Sequence, residues 1–72
     1  MQFNIQAIKK TIEEDYILKA YFLRYIFVYK LKDKTEAYKY IFDRFIENDR
    51  FFAYEYRKHL SEVQEIKEIL TA

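Results

Sequence analysis

The chain has no glycine, no proline, no cysteine and no tryptophan, and it has one serine and one histidine. Each absence closes off a class of structure or chemistry. Without glycine, the positive-φ positions of tight hairpins, helix C-caps and phosphate-cradling loops must be made by other residues, here mostly Asn, Asp and Lys. Without proline no strong helix breaker is present, so long helices are the default. Without cysteine there is neither a disulfide framework nor a thiolate metal site, which fits a reducing compartment. One Ser, one His and no glycine loop exclude most nucleophilic and phosphate-binding arrangements, so an enzyme is not expected, nor any cofactor. Excess charge of one sign is also missing: 13 Lys and Arg stand against 12 Asp and Glu, a net +1, and nothing in that balance demands nucleic acid or an anionic membrane.

What the chain does have is aromatics, seven Phe and eight Tyr in 72 residues. One large ring buries ~150–250 Å². A single domain spanning 1–72 is short for an independent core, and a chain of that size buries only ~60% of its unfolded surface. Some of the rings are therefore expected to face a partner.

The longest apolar stretch, Tyr16 to Leu31, is interrupted by Lys19, Arg24 and Lys30. Crossing a bilayer takes ~20 apolar residues in succession, so no membrane span is expected and the stretch reads as a central or partner-covered helix. The first twelve residues lack a secretory signal. They carry Lys9 and Lys10, no acid, and Ile5, Ile8 and Ile12 on one helical face, a weak organelle-targeting pattern.

Periodicity and capping signals predict an all-α fold, a three-helix up-down-up bundle over about 4–31, 35–48 and 50–70. Asn4 is an N-cap, with Phe3 before it placed to staple onto Ile8. From there Ile5, Ile8, Ile12 and Tyr16 recur at helical spacing. The run Tyr25 to Leu31 is rich in β-branched and aromatic residues and suits a strand, but has no glycine turn to pair it. Asp33 with Glu36 forms a capping box, with Thr35 the alternative cap, ahead of a stripe of Ala37, Tyr38, Ile41, Phe42 and Phe45. Asn48-Asp49 is a softer second break. Tyr56, His59, Val63, Ile66 and Leu70 then alternate at three and four, running through Ser61 and Gln64, an internal capping pair, without a phase shift. The competing layout fuses the last two helices into one arm and makes a dimeric helical hairpin.

Few residues offer chemistry. His59 lies between Glu55 and Glu62 on one helix face, a pattern expected of a surface or core-edge pair rather than a metal site. The run Glu13-Glu14-Asp15 reads as the solvated outside of the first helix. Lys30, Lys32, Lys34 and Lys39 cluster near the first turn, but Asp33 and Glu36 interrupt them, which weakens a nucleic-acid patch. Gln2, Asn4 and Gln6 alternate with Phe3, Ile5 and Ala7. Read as a strand, this segment resembles the N-terminal β-ribbon of ribbon-helix-helix regulators, whose polar residues would contact base edges in DNA. Against that alternative, the glycine-containing turn of that family is missing and the first helix is longer than its own.

A second resemblance lies in the run Thr35-Glu36-Ala37-Tyr38-Lys39-Tyr40-Ile41-Phe42-Asp43-Arg44-Phe45-Ile46-Glu47-Asn48. Its pattern of Thr35, Ala37, Ile41, Asp43, Phe45, Glu47 and Asn48 is similar to the second helix of the LYR-motif family, small three-helix adaptors mostly of mitochondria. The family's closing Phe-Arg-x-Asn is matched at Phe45 and Asn48 but not at Ile46. Its Leu-Tyr-Arg has two degenerate counterparts, Phe22-Leu23-Arg24, which keeps the arginine, and Ile17-Leu18-Lys19, which keeps the spacing better. The nearly neutral charge departs from the usually basic family. The resemblance implies a non-enzymatic adaptor or assembly subunit that binds an acyl carrier protein, whose acyl chain enters between the helices, on the mitochondrial matrix side. The partner-binding residues would be Lys19, Tyr21, Phe22, Leu23, Arg24, Phe45 and Asn48. Otherwise the chain reads as an intracellular homodimer, a small DNA-binding regulator acting through Gln2, Asn4 and Gln6, or a virus- or phage-encoded helical inhibitor.

Overall fold

Asn4 opens the first helix as its position predicts. In extended conformation, it accepts the amide of Ala7 on its side-chain oxygen at 3.0 Å, satisfying one of the free N–H groups of the first turn. This computed structural model describes the backbone of residues 1–71 and the side chains of residues 1–66, and the described residues form four α-helices with no strand. Helix α1 spans Ile5–Glu14 and α2 Tyr16–Tyr29. Helix α3, Thr35–Ile41, runs directly into a π-helical turn, Phe42–Ile46, and α4 spans Arg50–Thr71.

The all-α bundle stands, but its first helix is two helices. Asp15 adopts an extended backbone, with φ −117° and ψ 107°, between α1 and α2. Its amide still closes the last turn of α1 onto the Thr11 carbonyl at 3.1 Å, and its carboxylate caps α2 by accepting from Ile17 and Leu18 at 3.0 and 3.3 Å. One side chain thus breaks the helix without glycine or proline. Asp15 is nearly buried, so the acidic run is not wholly the solvated exterior expected of it. The break also takes Tyr16 out of the α1 stripe, leaving it 81% exposed.

At its far end α2 closes in a Schellman motif. Leu31 donates to the Ile26 carbonyl and Lys30 to that of Phe27, with Lys30 left-handed at φ 53°. That conformation normally belongs to glycine, and in this chain a lysine takes it. Asp33 accepts the Thr35 amide at 2.9 Å, a bond that holds its carboxyl below the usual aspartate range, while Lys34 fills the cap position without a side-chain bond. The Asn48-Asp49 break is a true one, which excludes a fused arm. Asn48 donates to the Asp43 and Arg44 carbonyls that the π turn leaves free, and Asp49 caps α4 by accepting from Phe51 and Phe52. Helix α4 passes through Ser61 unbroken, as its period predicts.

The core gathers Ile8 and Ile12 from α1, Leu18 and Phe22 from α2, Ala37 and Ile41 from α3, Phe42 and Ile46 from the π turn, and Tyr56 from α4. Tyr56 is fully buried, and burial pushes its phenol up. Its hydroxyl donates to the Gln2 carbonyl and accepts the Asn4 amide at 2.8 Å, tying the N-terminal segment to α4. Phe3, expected to staple onto Ile8, packs against this core and meets Phe42 edge to face at 5.2 Å. The ribbon reading of residues 2–7 fails here, because residues 5–7 are helical and the Asn4 side chain is a cap.

Candidate functional site

Helix α2 is apolar on two sides, and the fold covers one of them. Leu18 and Phe22 point into the core with Tyr25 and Ile26 half-buried beside them. A run of aromatic pairs mounts this side on the neighbouring elements. Phe22 stacks on Tyr38 at 4.8 Å, Tyr25 on Tyr40 at 4.0 Å with their planes 9° apart, and Tyr21 lies 4.8 Å from Phe45. Such pairs each contribute roughly 0.5–1.5 kcal/mol beyond area burial. The π turn helps to set this up, since its extra residue per turn lets Phe45 reach Tyr21 and Tyr40 while Phe42 and Ile46 stay in the core. Burial, reinforced by the Glu36 charge, raises the Tyr25 phenol, so Tyr25 remains a neutral hydroxyl at ordinary pH.

The opposite side of α2 is open. Tyr16 and Phe27 are 81% and 83% exposed, and Ile17, Leu23 and Val28 are exposed as well, while the exposed Tyr29 lies against Tyr25 at the end of the covered side. Two shallow grooves adjoin the open side. One, of about 340 Å³, runs over Ala20 between Tyr16, Ile17, Tyr21 and Arg24. The other, of about 260 Å³, lies where α2 meets α3, between Tyr21, Arg24, Tyr25, Val28, Tyr29 and Tyr40. Tyr21 and Arg24 form the wall common to both. The sequence of α2 contains Lys19 and Arg24 but no acid, and among the described residues no carboxylate pairs with Arg24.

Of the residues expected to bind a partner, Lys19, Tyr21, Leu23 and Arg24 lie exposed on α2. Phe45 is half-buried beneath Tyr21. Phe22 is not on this surface: it is 7% exposed and belongs to the core. Asn48 is exposed but sits at the end of the π turn, where its amide holds two carbonyls. Of the alternative DNA contacts, Gln2 is held through its carbonyl by Tyr56, Asn4 is a cap, and Gln6 is exposed on α1. Sequence reading missed Tyr16, Ile17, Phe27 and Val28 as surface residues. The available signal was that α2 lacks any polar side to turn outward.

A second cluster surrounds the α1–α2 break. His59, 4% exposed, places Nε2 2.8 Å from Glu14 and Nδ1 3.3 Å from Glu62, which also meets Lys10 at 3.5 Å. Its flanking carboxylates are therefore Glu14 and Glu62, not Glu55 and Glu62 as spacing alone predicts. Glu55 turns toward Asp15 instead. Burial pushes its carboxyl up, the Asp15 charge adds to the effect, and its Oε2 is buried without a hydrogen-bond partner. Glu62 moves the other way, lowered by its bond to His59. Among the described residues no group of His, Cys, Asp and Glu is placed to hold a metal ion.

A groove of about 950 Å³ lies between Phe3, Tyr25 and Tyr40, but Asp33, Glu36 and Asp43 offset Lys39 and Arg44 around it. No helix among the described residues is long and apolar enough to cross a membrane. Compared with protein-family models, with curated proteins and with solved structures, the chain matches none.

Proposed function

We propose that this chain is a non-enzymatic adaptor that holds another protein against the outer side of α2. One observation carries the reading: a helix already mounted on its own core by four buried or half-buried residues presents a further row of large apolar side chains to solvent. Contiguous patches of this kind mark interaction sites more often than they occur by accident on a small monomer. The concrete form of the reading is the partner implied by the LYR resemblance, an acyl carrier protein, whose acidic surface would meet Arg24 and Lys19. Ile8, Leu18, Ile41, Phe42, Ile46 and Tyr56 fill the space between the helices. Docking in this reading therefore takes place on the outside of α2, without an acyl chain threaded through the core.

The test is twofold. A photo-crosslinking residue at Phe27, compared with one at the exposed Lys58 on α4, is expected to capture a defined protein from Phe27 alone. Equal capture from both positions retires the adaptor reading. Purified acyl carrier protein, in holo and acyl-loaded forms, is expected to co-elute with the chain and to lose that complex on Arg24→Glu. Absence of a complex in every acylation state retires the carrier as partner.

A further inference from the structure

Helix α4 mixes cations and acids along its sequence, and the fold sorts them to different sides. Glu55 turns toward Asp15, and Glu62 is drawn onto His59 and Lys10, so both acids lean toward α1 and its junction with α2. Between 50 and 61 the exposed side chains are Arg50, Phe51, Tyr54, Arg57, Lys58 and Ser61, which comprise three cations, two rings and no acid. At ~3.6 residues per turn they fall within an arc of about 120° and along about 16 Å of the helix axis. Glu47 and Asp49 bound this stripe at one end, where the Asp49 carboxylate is engaged as the cap, and Glu65 bounds it at the other. Among the described residues Arg50, Arg57 and Lys58 have no carboxylate partner.

The rings are as open as the cations. Tyr54 is 70% exposed, and among the described residues it pairs with no other ring and has no cation over its face. Phe51, 61% exposed, meets the half-buried Phe52 edge to face at 5.7 Å. Along the axis the order is cation, ring, cation: Arg50, then Tyr54 one turn on, then Arg57 and Lys58 within the next turn.

That order selects the occupant. A lipid surface takes up a continuous apolar face, whereas Lys58 falls between Phe51 and Tyr54 around the helix and the stripe has no aliphatic side chain. The centre of a protein interface is apolar and depleted of lysine, which the same arrangement denies. A second copy of the stripe would set cations against cations. A single strand of nucleic acid presents the complement, phosphates at intervals with flat bases between them, each base with a face open to an aromatic side chain. A duplex keeps those faces stacked inside.

We propose that the outer face of α4 binds single-stranded nucleic acid without sequence preference, with phosphates on Arg50, Arg57 and Lys58 and bases stacked on Tyr54 and Phe51. The site lies on a different helix from the adaptor surface and does not depend on that reading. Its ligand is not a protein, so Lys58 still serves as the control position for protein capture.

The probe is a labelled oligodeoxythymidine of about 12 nucleotides, titrated with the full chain and followed by fluorescence anisotropy. Stacking and phosphate pairing do not depend on the sugar, so the deoxy strand suffices. Three phosphate contacts predict that log K falls with log salt at a slope of about −2, and Arg57→Gln should reduce that slope by about 0.7. Tyr54→Ala should weaken binding by about fivefold or more at unchanged slope, and Tyr54→Phe should retain it. Lys9→Gln, at an exposed cation of α1, should change neither quantity. The substituted side chains are exposed, so the circular dichroism of every variant should match wild type. The inference is overturned if the strand does not saturate, if a duplex of the same length binds as tightly, if Tyr54→Ala has no effect, or if Lys9→Gln reduces the slope as much as Arg57→Gln. It is equally overturned if polyglutamate or phosphatidylserine vesicles displace the strand at equal charge, which would assign the stripe to acidic proteins or to lipid.

Discussion

α1 and α2 are separated by one residue and relate to solvent in opposite ways. On α1, Ala7, Ile8, Thr11 and Ile12 are buried, while Gln6, Lys9, Lys10, Glu13 and Glu14 face outward. Folding of this chain alone accounts for nearly every side chain on it. On α2 only Leu18 and Phe22 are buried, and most of the remaining apolar residues are exposed. Intramolecular packing therefore explains one side of α2 and leaves the other without an internal role. The lesson is that hydrophobicity needed for stability and hydrophobicity available for recognition can be told apart by asking which helix face the fold leaves uncovered.

The most severe test of that contrast is in α1. Ile8→Ala removes a fully buried side chain and is expected to cost about 2–5 kcal/mol, read as a fall in the urea midpoint at unchanged slope. A loss under 1 kcal/mol would mean that α1 is not part of the core. Asp15→Ala tests the junction between the two regions. Loss of the α2 cap predicts about 0.5–2 kcal/mol of destabilisation, and recovery by Asp15→Asn, which keeps an accepting oxygen, separates capping from charge.

A smaller, pH-dependent effect is expected from Glu55. Its carboxyl is raised in the fold, so the stabilisation it gives is complete below the pKa of an unfolded glutamate, ~4.3, and is lost as pH rises through the higher folded value. Asp15, Glu14 and His59 surround it, and Glu62, shifted in the opposite sense, is common to both proteins in the comparison. Urea midpoints should thus fall for wild type relative to Glu55→Gln as pH goes from about 4 to about 7. Parallel profiles would show that Glu55 is solvated. The smallest expected change is the most informative. Phe27→Ser on the open side of α2 should alter stability by less than about 0.5 kcal/mol while abolishing partner capture, whereas a large destabilisation would move Phe27 into the core and dissolve the distinction.

Much of the fold was legible in the sequence because capping is local chemistry. Asn4 is read as a cap from a side chain that reaches three residues along the chain, Asn48-Asp49 is read as a break, and the stripe through Ala37, Ile41 and Phe42 follows from helical period alone. The break at Asp15 was not legible. Three acids in a row resemble a solvated surface, and only the approach of α4, with Glu55 and His59, makes Asp15 an interior cap. The π turn escaped for a similar reason, since nothing in Phe42 to Ile46 marks a residue too many. For the candidate site, composition pointed to α2 as a helix with surplus aromatics, and Arg24, expected to bind a partner, lies exposed on it. Which side of α2 stays open depends on where α3 and the π turn pack, and that placed Phe22 inside and Phe27 outside.

The one-residue junction at Asp15 also has a mechanical consequence. No slack separates α1 from α2, because the same residue closes the last turn of one and opens the first turn of the other. Helix α2, 14 residues and about 21 Å long at ~1.5 Å per residue, is fixed at its first turn by one carboxylate and further along by the Phe22–Tyr38 and Tyr25–Tyr40 stacks. A partner meeting its outer side would therefore find a preformed surface, with little backbone left to order on binding.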